Sequence, residues 1–169
     1  MDNKFSDNNF MDMAIDEAEK NLAEGFEAGG PFGAIIVKDG EVIAAAHNTV
    51  IESKDPTAHA EINAIRKACR ELDVHDLNGT QLYTNCMPCP MCLGAIVWAN
   101  IKEVYYVNTS EDVAEIGFRD NAIYEYIISL TKHEKTSGSV GNLINLHKME
   151  NSRAKHAVDE FKNFIENIY

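Results

Sequence analysis

The sequence predicts an α/β fold in which a mixed β-sheet is covered by helices on both faces. Three observations support this class. Helical and strand patterns follow one another in the order α-β-β-α-β-α-β-α. Asp39-Gly40 separates two apolar runs and is typical of a tight hairpin. The strand-helix-strand pattern over 81–107 is typical of a right-handed parallel crossover. At 169 residues, the chain is expected to form one domain, 1–169, with a substantial core.

The individual elements follow from hydrophobic periodicity and from helix-breaking residues. The first helix is expected to end at Gly29-Gly30-Pro31, and Asp55-Pro56-Thr57 is typical of a helix start. The predicted helices are 10–27, 59–72, 88–100, 123–130 and 152–168. The predicted strands are 32–37, 42–46, 80–84 and 104–107. Residues 131–141 are rich in Thr, Ser, Gly and Lys and are predicted to form a loop.

The charge balance restricts the class of partner. The chain carries 15 basic and 27 acidic residues, a net charge of −12. Such a surface repels phosphate backbones, so nucleic acid is an unexpected partner, and a small, weakly charged substrate is favoured. The polar N-terminus predicts no signal peptide, and no apolar run reaches the length of a membrane span. A cytoplasmic location is therefore expected, where clustered cysteines indicate metal binding before disulfides.

Two short motifs carry the chemistry. His59-Ala60-Glu61 is followed by Pro88-Cys89-Pro90-Met91-Cys92. Together these motifs offer one imidazole and two thiolates, which are preferred ligands of Zn²⁺. Three protein ligands leave the fourth tetrahedral position for water, as in catalytic zinc sites, whereas a structural site needs a fourth Cys or His. We therefore predict that His59, Cys89 and Cys92 bind one Zn²⁺ per chain.

Helix termini explain why these residues suit a metal. Cys89 and Cys92 lie in the first turn of a predicted helix, where the helix dipole stabilises thiolates. His59 and Glu61 are two residues apart, and such residues do not share a face within a regular helix. His59 is therefore expected at the entry of the preceding helix. Zinc lowers the pKa of a bound water towards about 7. Glu61 is the predicted proton shuttle for that water.

A different class of site remains open at this point. Cys86-x-x-Cys89-x-x-Cys92 also resembles part of an iron–sulfur ligand run. A second alternative is a zinc site without a catalytic function. No fourth cysteine follows at a suitable spacing, so Cys86 is predicted to be a non-ligand and Cys69 a small buried hydrophobic residue. A purely structural site has no need of Glu61. The remaining histidines lack paired spacing and are predicted to be surface or core residues: His47, His75, His133, His147 and His156.

The two motifs, in this order, are the signature of zinc deaminases, and the chain resembles the cytidine-deaminase-like superfamily. Further segments look like the bacterial guanine deaminases within it. These are 31–34, Asn48, 55–61, 65–69, 89–96, 117–120 and Tyr169. The likeness covers most of 10–126 and is thin after Ile127.

This resemblance implies a three-layer α/β/α sandwich with a five-stranded mixed sheet. It also implies hydrolysis of guanine to xanthine and ammonia by a homodimer, in which a C-terminal segment of about 131–169 is swapped onto the partner. Matching positions imply the substrate contacts. Phe32 stacks on the purine, Asn48 forms a hydrogen bond with it, Ala60 contacts it, Trp98 lines the pocket, Asp120 accepts from the base, and Tyr169 closes the partner's site.

Asp120 suits guanine on chemical grounds. Guanine presents N1–H and an exocyclic amine as adjacent donors, and one carboxylate can accept from both. Three departures from the family leave the substrate open: Met87 replaces a glutamate, Arg119 replaces an acidic residue, and 131–141 is an apparent insertion. The alternative substrates are cytosine, guanosine, a triazine such as ammeline, and adenosine in tRNA. The net charge argues against tRNA.

Overall fold

The computed structural model describes residues 6–118, 120–131 and 143–166. Its strands are β1 (Gly33–Lys38), β2 (Glu41–His47), β3 (Thr80–Cys86), β4 (Glu103–Asn108) and β5 (Asn145–Lys148). Its helices are α1 (Asp7–Ala23), α2 (Val50–Ser53), α3 (Ala60–Leu72), α4 (Pro90–Trp98), α5 (Ser110–Ala114), α6 (Asp120–Thr131) and α7 (Ser152–Glu166).

The sheet is mixed and has the strand order β2-β1-β3-β4-β5. Strand β1 is antiparallel to both β2 and β3, whereas β3, β4 and β5 are parallel. The predicted five-stranded mixed sheet is therefore confirmed. The parallel pairing of β3 with β4 across α4 also agrees with the crossover predicted over 81–107.

Alternating side chains of the sheet face two separate helix layers. Ala34, Ile36 and Leu82 pack into a core that includes residues of α3 and α4. Ile35 and Tyr83 face the opposite side and pack with Phe10, Ala14 and other residues of α1. All five sheet side chains are fully buried. A strand covered on both faces needs a continuous apolar run, and β1 has one. The predicted three-layer sandwich is thus confirmed.

The hairpin between β1 and β2 forms as predicted. Lys38 pairs with Glu41, so Asp39 and Gly40 are the two turn residues. Both have positive φ, 52° and 79°. This is the conformation that two-residue hairpins prefer, and Asp-Gly adopts it at little steric cost.

A buried amide network organises the carboxyl ends of β3 and β4. Asn85 donates from Nδ2 to the Pro31 carbonyl (2.8 Å) and accepts at Oδ1 from the Gly33 N–H (2.9 Å). Asn108 donates to the carbonyls of Asn85 (2.9 Å) and Ala154 (3.0 Å). The carboxyl ends of strands in open α/β sheets commonly border ligand sites. Here the network fixes the segment that carries Phe32 at that edge.

Several elements differ from their predicted bounds. Helix α1 ends at Ala23 rather than 27, because Gly25 and Phe26 adopt positive φ of 65° and 60°. The short elements α2, α5 and β5 were not predicted. Within the predicted loop at 131–141, Thr131 is the last residue of α6, and the others lie outside the described residues. None of the described helices is long and apolar enough to cross a membrane.

Candidate active site

Two helix starts present the predicted metal ligands. His59 is the N-cap residue of α3, with φ −65° and ψ 157°, and Cys89 is the N-cap residue of α4, with φ −67° and ψ 167°. Both residues have an extended backbone, so their side chains are not restricted to the directions that residues within a helix adopt. Pro90 occupies the first position of α4, where a missing N–H costs no intrahelical bond. Cys92 follows in the same turn.

The three ligand atoms form a compact group. The Sγ atoms of Cys89 and Cys92 each lie 3.6 Å from His59 Nδ1. All three atoms lie within 4.8 Å of one another. Tetrahedral zinc at its usual bond lengths separates nitrogen and sulfur ligands by about 3.5 Å. The spacing and the donor set therefore both fit one Zn²⁺.

Cys86 stays outside this group. Among the described residues, only His59, Cys89 and Cys92 form a potential metal cluster of three or more ligands. The Cys86 thiol is buried and accepts a hydrogen bond from Asn108 Nδ2 at 3.5 Å. Burial raises its pKa far above the usual value. An iron–sulfur arrangement is therefore not supported by the geometry.

The two ligand cysteines differ in acidity. Hydrogen bonds from Cys92 and His59 lower the pKa of Cys89 to about 4, against the opposing effect of burial. The contact with Cys89, together with burial, raises the pKa of Cys92. Cys89 is thus held as a thiolate by its neighbours, and a bound cation would deprotonate Cys92 as well.

Glu61 is a buried carboxyl beside these ligands. It is the second residue of α3 and is only 6% exposed. Burial raises its pKa to about 7. A carboxyl with a pKa near neutrality can both accept and deliver a proton at the same pH, as general acid–base catalysis requires.

A small cavity adjoins the ligands. It is lined by Phe32, His59, Glu61, Cys86, Met87, Cys89, Val113, Phe118 and Asp120. Its volume is about 30 Å³, roughly that of one water molecule. The rings of Phe32 and Phe118 meet edge-to-face, with centroids 4.9 Å apart. A ligand of purine size can enter only if wall side chains such as these move aside.

The structure brings Phe32 and Asp120 to this cavity. Asp120 begins α6 and is half-buried. Burial and the nearby Cys89 thiolate both raise its pKa. Met87 also lies in the cavity wall, so the position that departs from the family pattern faces the site. Arg119, the other departing position, lies outside the described residues.

The remaining predicted substrate contacts lie elsewhere. Asn48 is buried, and its Oδ1 accepts from the Val50 N–H at 3.1 Å, while its backbone N–H donates to the Phe32 carbonyl at 3.0 Å. Ala60 is fully buried in the core beneath α3. Trp98 ends α4 and is 88% exposed, away from the cavity of its own chain. Tyr169 lies outside the described residues.

Sequence reasoning missed Tyr124. Its hydroxyl donates to the Pro88 carbonyl at 3.0 Å, immediately before Cys89. Tyr124 is four residues after Asp120, so both face the same side of α6. One hydrogen bond therefore joins the helix that carries Asp120 to the start of the helix that carries the thiols. The spacing of four from Asp120 was the available signal in the sequence.

Comparisons with curated proteins identify close relatives. The chain is 58% identical to guanine deaminase from Bacillus subtilis over 118 residues, which cover 70% of this chain and 74% of the relative. It is 49% identical to a tRNA-specific adenosine deaminase from Aquifex aeolicus over 97 residues, 57% of this chain and 62% of the relative.

Solved structures show the same fold. The structure of guanine deaminase from Bacillus subtilis matches with a TM-score of 0.69 at 40% identity, covering 94% of this chain and 95% of the other. That of guanine deaminase from Nitrosomonas europaea matches with a TM-score of 0.75 at 26% identity, covering 94% and 85%. Residues 4–108, which contain all three predicted ligands and Glu61, match the family described as the cytidine and deoxycytidylate deaminase zinc-binding region. The chain therefore belongs to this family of zinc-dependent hydrolytic deaminases.

Proposed function

We propose that this chain hydrolyses guanine to xanthine and ammonia, with one Zn²⁺ held by His59, Cys89 and Cys92. The observation that carries the proposal is the position of Asp120. Its carboxylate borders the same cavity as the metal ligands and the buried Glu61. The similarity to two guanine deaminases supports the same substrate.

The reaction requires a nucleophile, proton transfers and a bound base. Zinc bound at this site supplies Lewis acidity that makes a water molecule a better nucleophile near neutral pH. Glu61 accepts a proton from that water while the oxygen bonds to the ring carbon that carries the amine. Glu61 then delivers this proton to the ring nitrogen. It next accepts the proton of the hydroxyl group added to the ring carbon and delivers it to the amine, so that a C=O bond forms, the C–N bond breaks and ammonia leaves.

The other side chains bind and orient the base. Asp120 accepts from the adjacent N1–H and amine of guanine. Phe32 stacks on the ring. The Val50 N–H already donates to Asn48 Oδ1, so the side-chain NH₂ of Asn48 is the donor left for the substrate. Ala60, which lies between His59 and Glu61 in the sequence, remains a proposed contact of the base.

Larger substrates fit this site less well. A cavity of about 30 Å³ must already open to admit a free base, and a nucleoside requires more displacement of the walls. Adenosine in tRNA is the substrate named for the Aquifex aeolicus relative, but the net charge of −12 opposes binding of a polyanion. A free purine base is therefore the preferred substrate.

We also propose that the chain acts as a homodimer. Helix α6 exposes a row of large apolar side chains, and Trp98 is exposed on α4, which packs against α6. These large apolar residues of α6 are Ile123, Tyr126, Ile127, Ile128 and Leu130. Apolar patches of this kind mark interaction surfaces. A partner that covers the patch would also bury Trp98. Swapping of about 131–169, with Tyr169 closing the partner's site, remains part of this proposal.

The dimer can be tested by sedimentation velocity. We expect wild-type protein at micromolar concentration to sediment at twice the chain mass of 18.8 kDa. The Trp98→Lys, Ile128→Lys double variant should sediment as a monomer, because two charges would be buried in the interface. Ile51→Lys, at an exposed apolar residue of α2, is the matched control and should stay dimeric. A monomeric wild type would contradict the proposal.

Substrate and mechanism can be tested together by ammonia release from the zinc-loaded protein. The panel is guanine, guanosine, cytosine, cytidine, adenine and ammeline. We expect turnover of guanine, and Glu61→Gln should lower kcat by about 10²- to 10⁴-fold with zinc still bound, because the proton shuttle is lost. Glu52→Gln, at an exposed position of α2, should leave kcat unchanged. Inert guanine would overturn the substrate assignment, and a Glu61→Gln variant with kcat close to that of the wild type would overturn the mechanism.

Tyr124→Phe tests whether the contact with Pro88 positions Asp120. Loss of one hydrogen bond should raise KM for guanine by roughly 3- to 10-fold and leave kcat nearly unchanged. In an Asp120→Asn background the same change should have little further effect, since both residues act on one interaction. Tyr126→Phe is the matched control, because Tyr126 is exposed on the same helix. Additive effects on KM would show that Tyr124 does not act through Asp120.

A further inference from the structure

We propose a second ligand site, distinct from the active site, that binds the phosphate group of a small phosphorylated molecule. It is the cavity between α1, β2 and α3, called here the basic cavity. Its lining residues are Glu17, Lys20, Ala45, Ala46, His47, Thr49, Asn63, Arg66, Lys67 and Arg70. Its volume is about 350 Å³, and it shares no lining residue with the active-site cavity.

The charge of the basic cavity is opposite to that of the chain. The whole chain has 15 basic and 27 acidic residues, yet the four cations Lys20, Arg66, Lys67 and Arg70 line this one cavity with a single carboxylate. Like charges held together repel one another, so such a cluster in an acidic protein favours a bound anion.

Two of the four cations have no acidic partner among the described residues. Glu17 is shared by Lys20 (2.6 Å) and His47 (3.3 Å). Arg66 Nη1 lies 3.4 Å from the Asp55 carboxylate. Lys67 Nζ donates to the Ala45 carbonyl at 3.1 Å, and neither Lys67 nor Arg70 forms an ion pair with any residue that the structure describes. These two side chains are therefore the ones left to bind an incoming anion.

The residue types and the size indicate a phosphate ligand of small-molecule dimensions. Arginine binds phosphate through two parallel N–H donors, and lysine adds a point charge. A cavity of about 350 Å³ is at the lower end of the range for small-molecule sites, roughly 300–1,000 Å³. The net charge of −12 of the whole chain disfavours an extended polyanion. The phosphate belongs either to a nucleotide or to free phosphate or pyrophosphate.

Asn63 connects the basic cavity to the active site. Its Nδ2 donates to the His47 carbonyl (3.0 Å), Thr49 Oγ1 (2.9 Å) and the Ala58 carbonyl (3.2 Å), and its backbone N–H donates to the His59 carbonyl (2.9 Å). These partners flank Asn48 and include the ligand His59. A ligand that restricts the motion of the cavity wall thereby changes the positions of the segments that carry Asn48 and His59. The expected effect is a changed KM for guanine, and this part alone rests on the proposed function.

Calorimetric titration of the zinc-loaded full chain tests the site without any assay of activity. The probes are inorganic phosphate, pyrophosphate, GMP and GTP. We expect at least one probe to bind, and the Lys67→Gln, Arg70→Gln double variant to bind it at least about tenfold more weakly, because hydrogen bonds to charged groups are lost. The Lys148→Gln, Lys155→Gln double variant is the matched control, since it removes the same charge from a different cavity. It should bind like wild type.

The outcomes separate the alternatives. Tighter binding of GMP or GTP than of pyrophosphate assigns the site to a nucleotide, and equal binding assigns it to the free anion; both support the site. Absence of binding by all four probes would overturn it, as would equal loss in both double variants. Stronger binding of a short RNA than of every probe would also overturn it in favour of a nucleic-acid surface. A protein inactive on guanine would leave these binding results intact.

Discussion

The contact of His59 Nδ1 with the two thiol sulfurs, 3.6 Å in each case, is the interaction around which the site is arranged. It joins the start of α3, which follows β2 and α2 in the chain, to the start of α4, which follows the central strand β3. The buried Glu61 is near the metal position because it lies one residue inside α3. Asp120 lines the same cavity, and Tyr124 of the same helix donates to the carbonyl of the residue before Cys89. Helix starts suit this role, since their free N–H groups and dipoles favour thiolates.

Local sequence patterns were sufficient to predict the sheet hairpin and the metal ligands. Asp39-Gly40 specifies a turn by its own backbone preferences, and the spacing of Cys89 and Cys92 needs no tertiary information. Strand β5 escaped prediction because it has four residues, all of them exposed, and exists through its pairing with β4. Its stability depends on tertiary contacts rather than on its own sequence pattern.

The features that could not be predicted from the sequence form between residues that are far apart in the chain. Tyr124 and Pro88 are 36 positions apart. The basic cavity combines Lys20 of α1 with Arg70 of α3, and the net charge of −12 gave no indication that cations converge there. Net charge describes a whole surface, whereas a binding site depends on the local distribution. Trp98 shows the converse case, since the family resemblance predicts a pocket residue, whereas its side chain is exposed in the single chain.

We propose that two helix starts hold zinc through three protein ligands and leave its fourth position open. X-ray absorption at the zinc edge of the purified protein tests this most directly. We expect two sulfur atoms at about 2.3 Å and two nitrogen or oxygen atoms at about 2.0 Å, one of them from solvent. Three or four sulfur atoms would contradict it, because Cys86 or Cys69 would then be a ligand and the site would be closed to water.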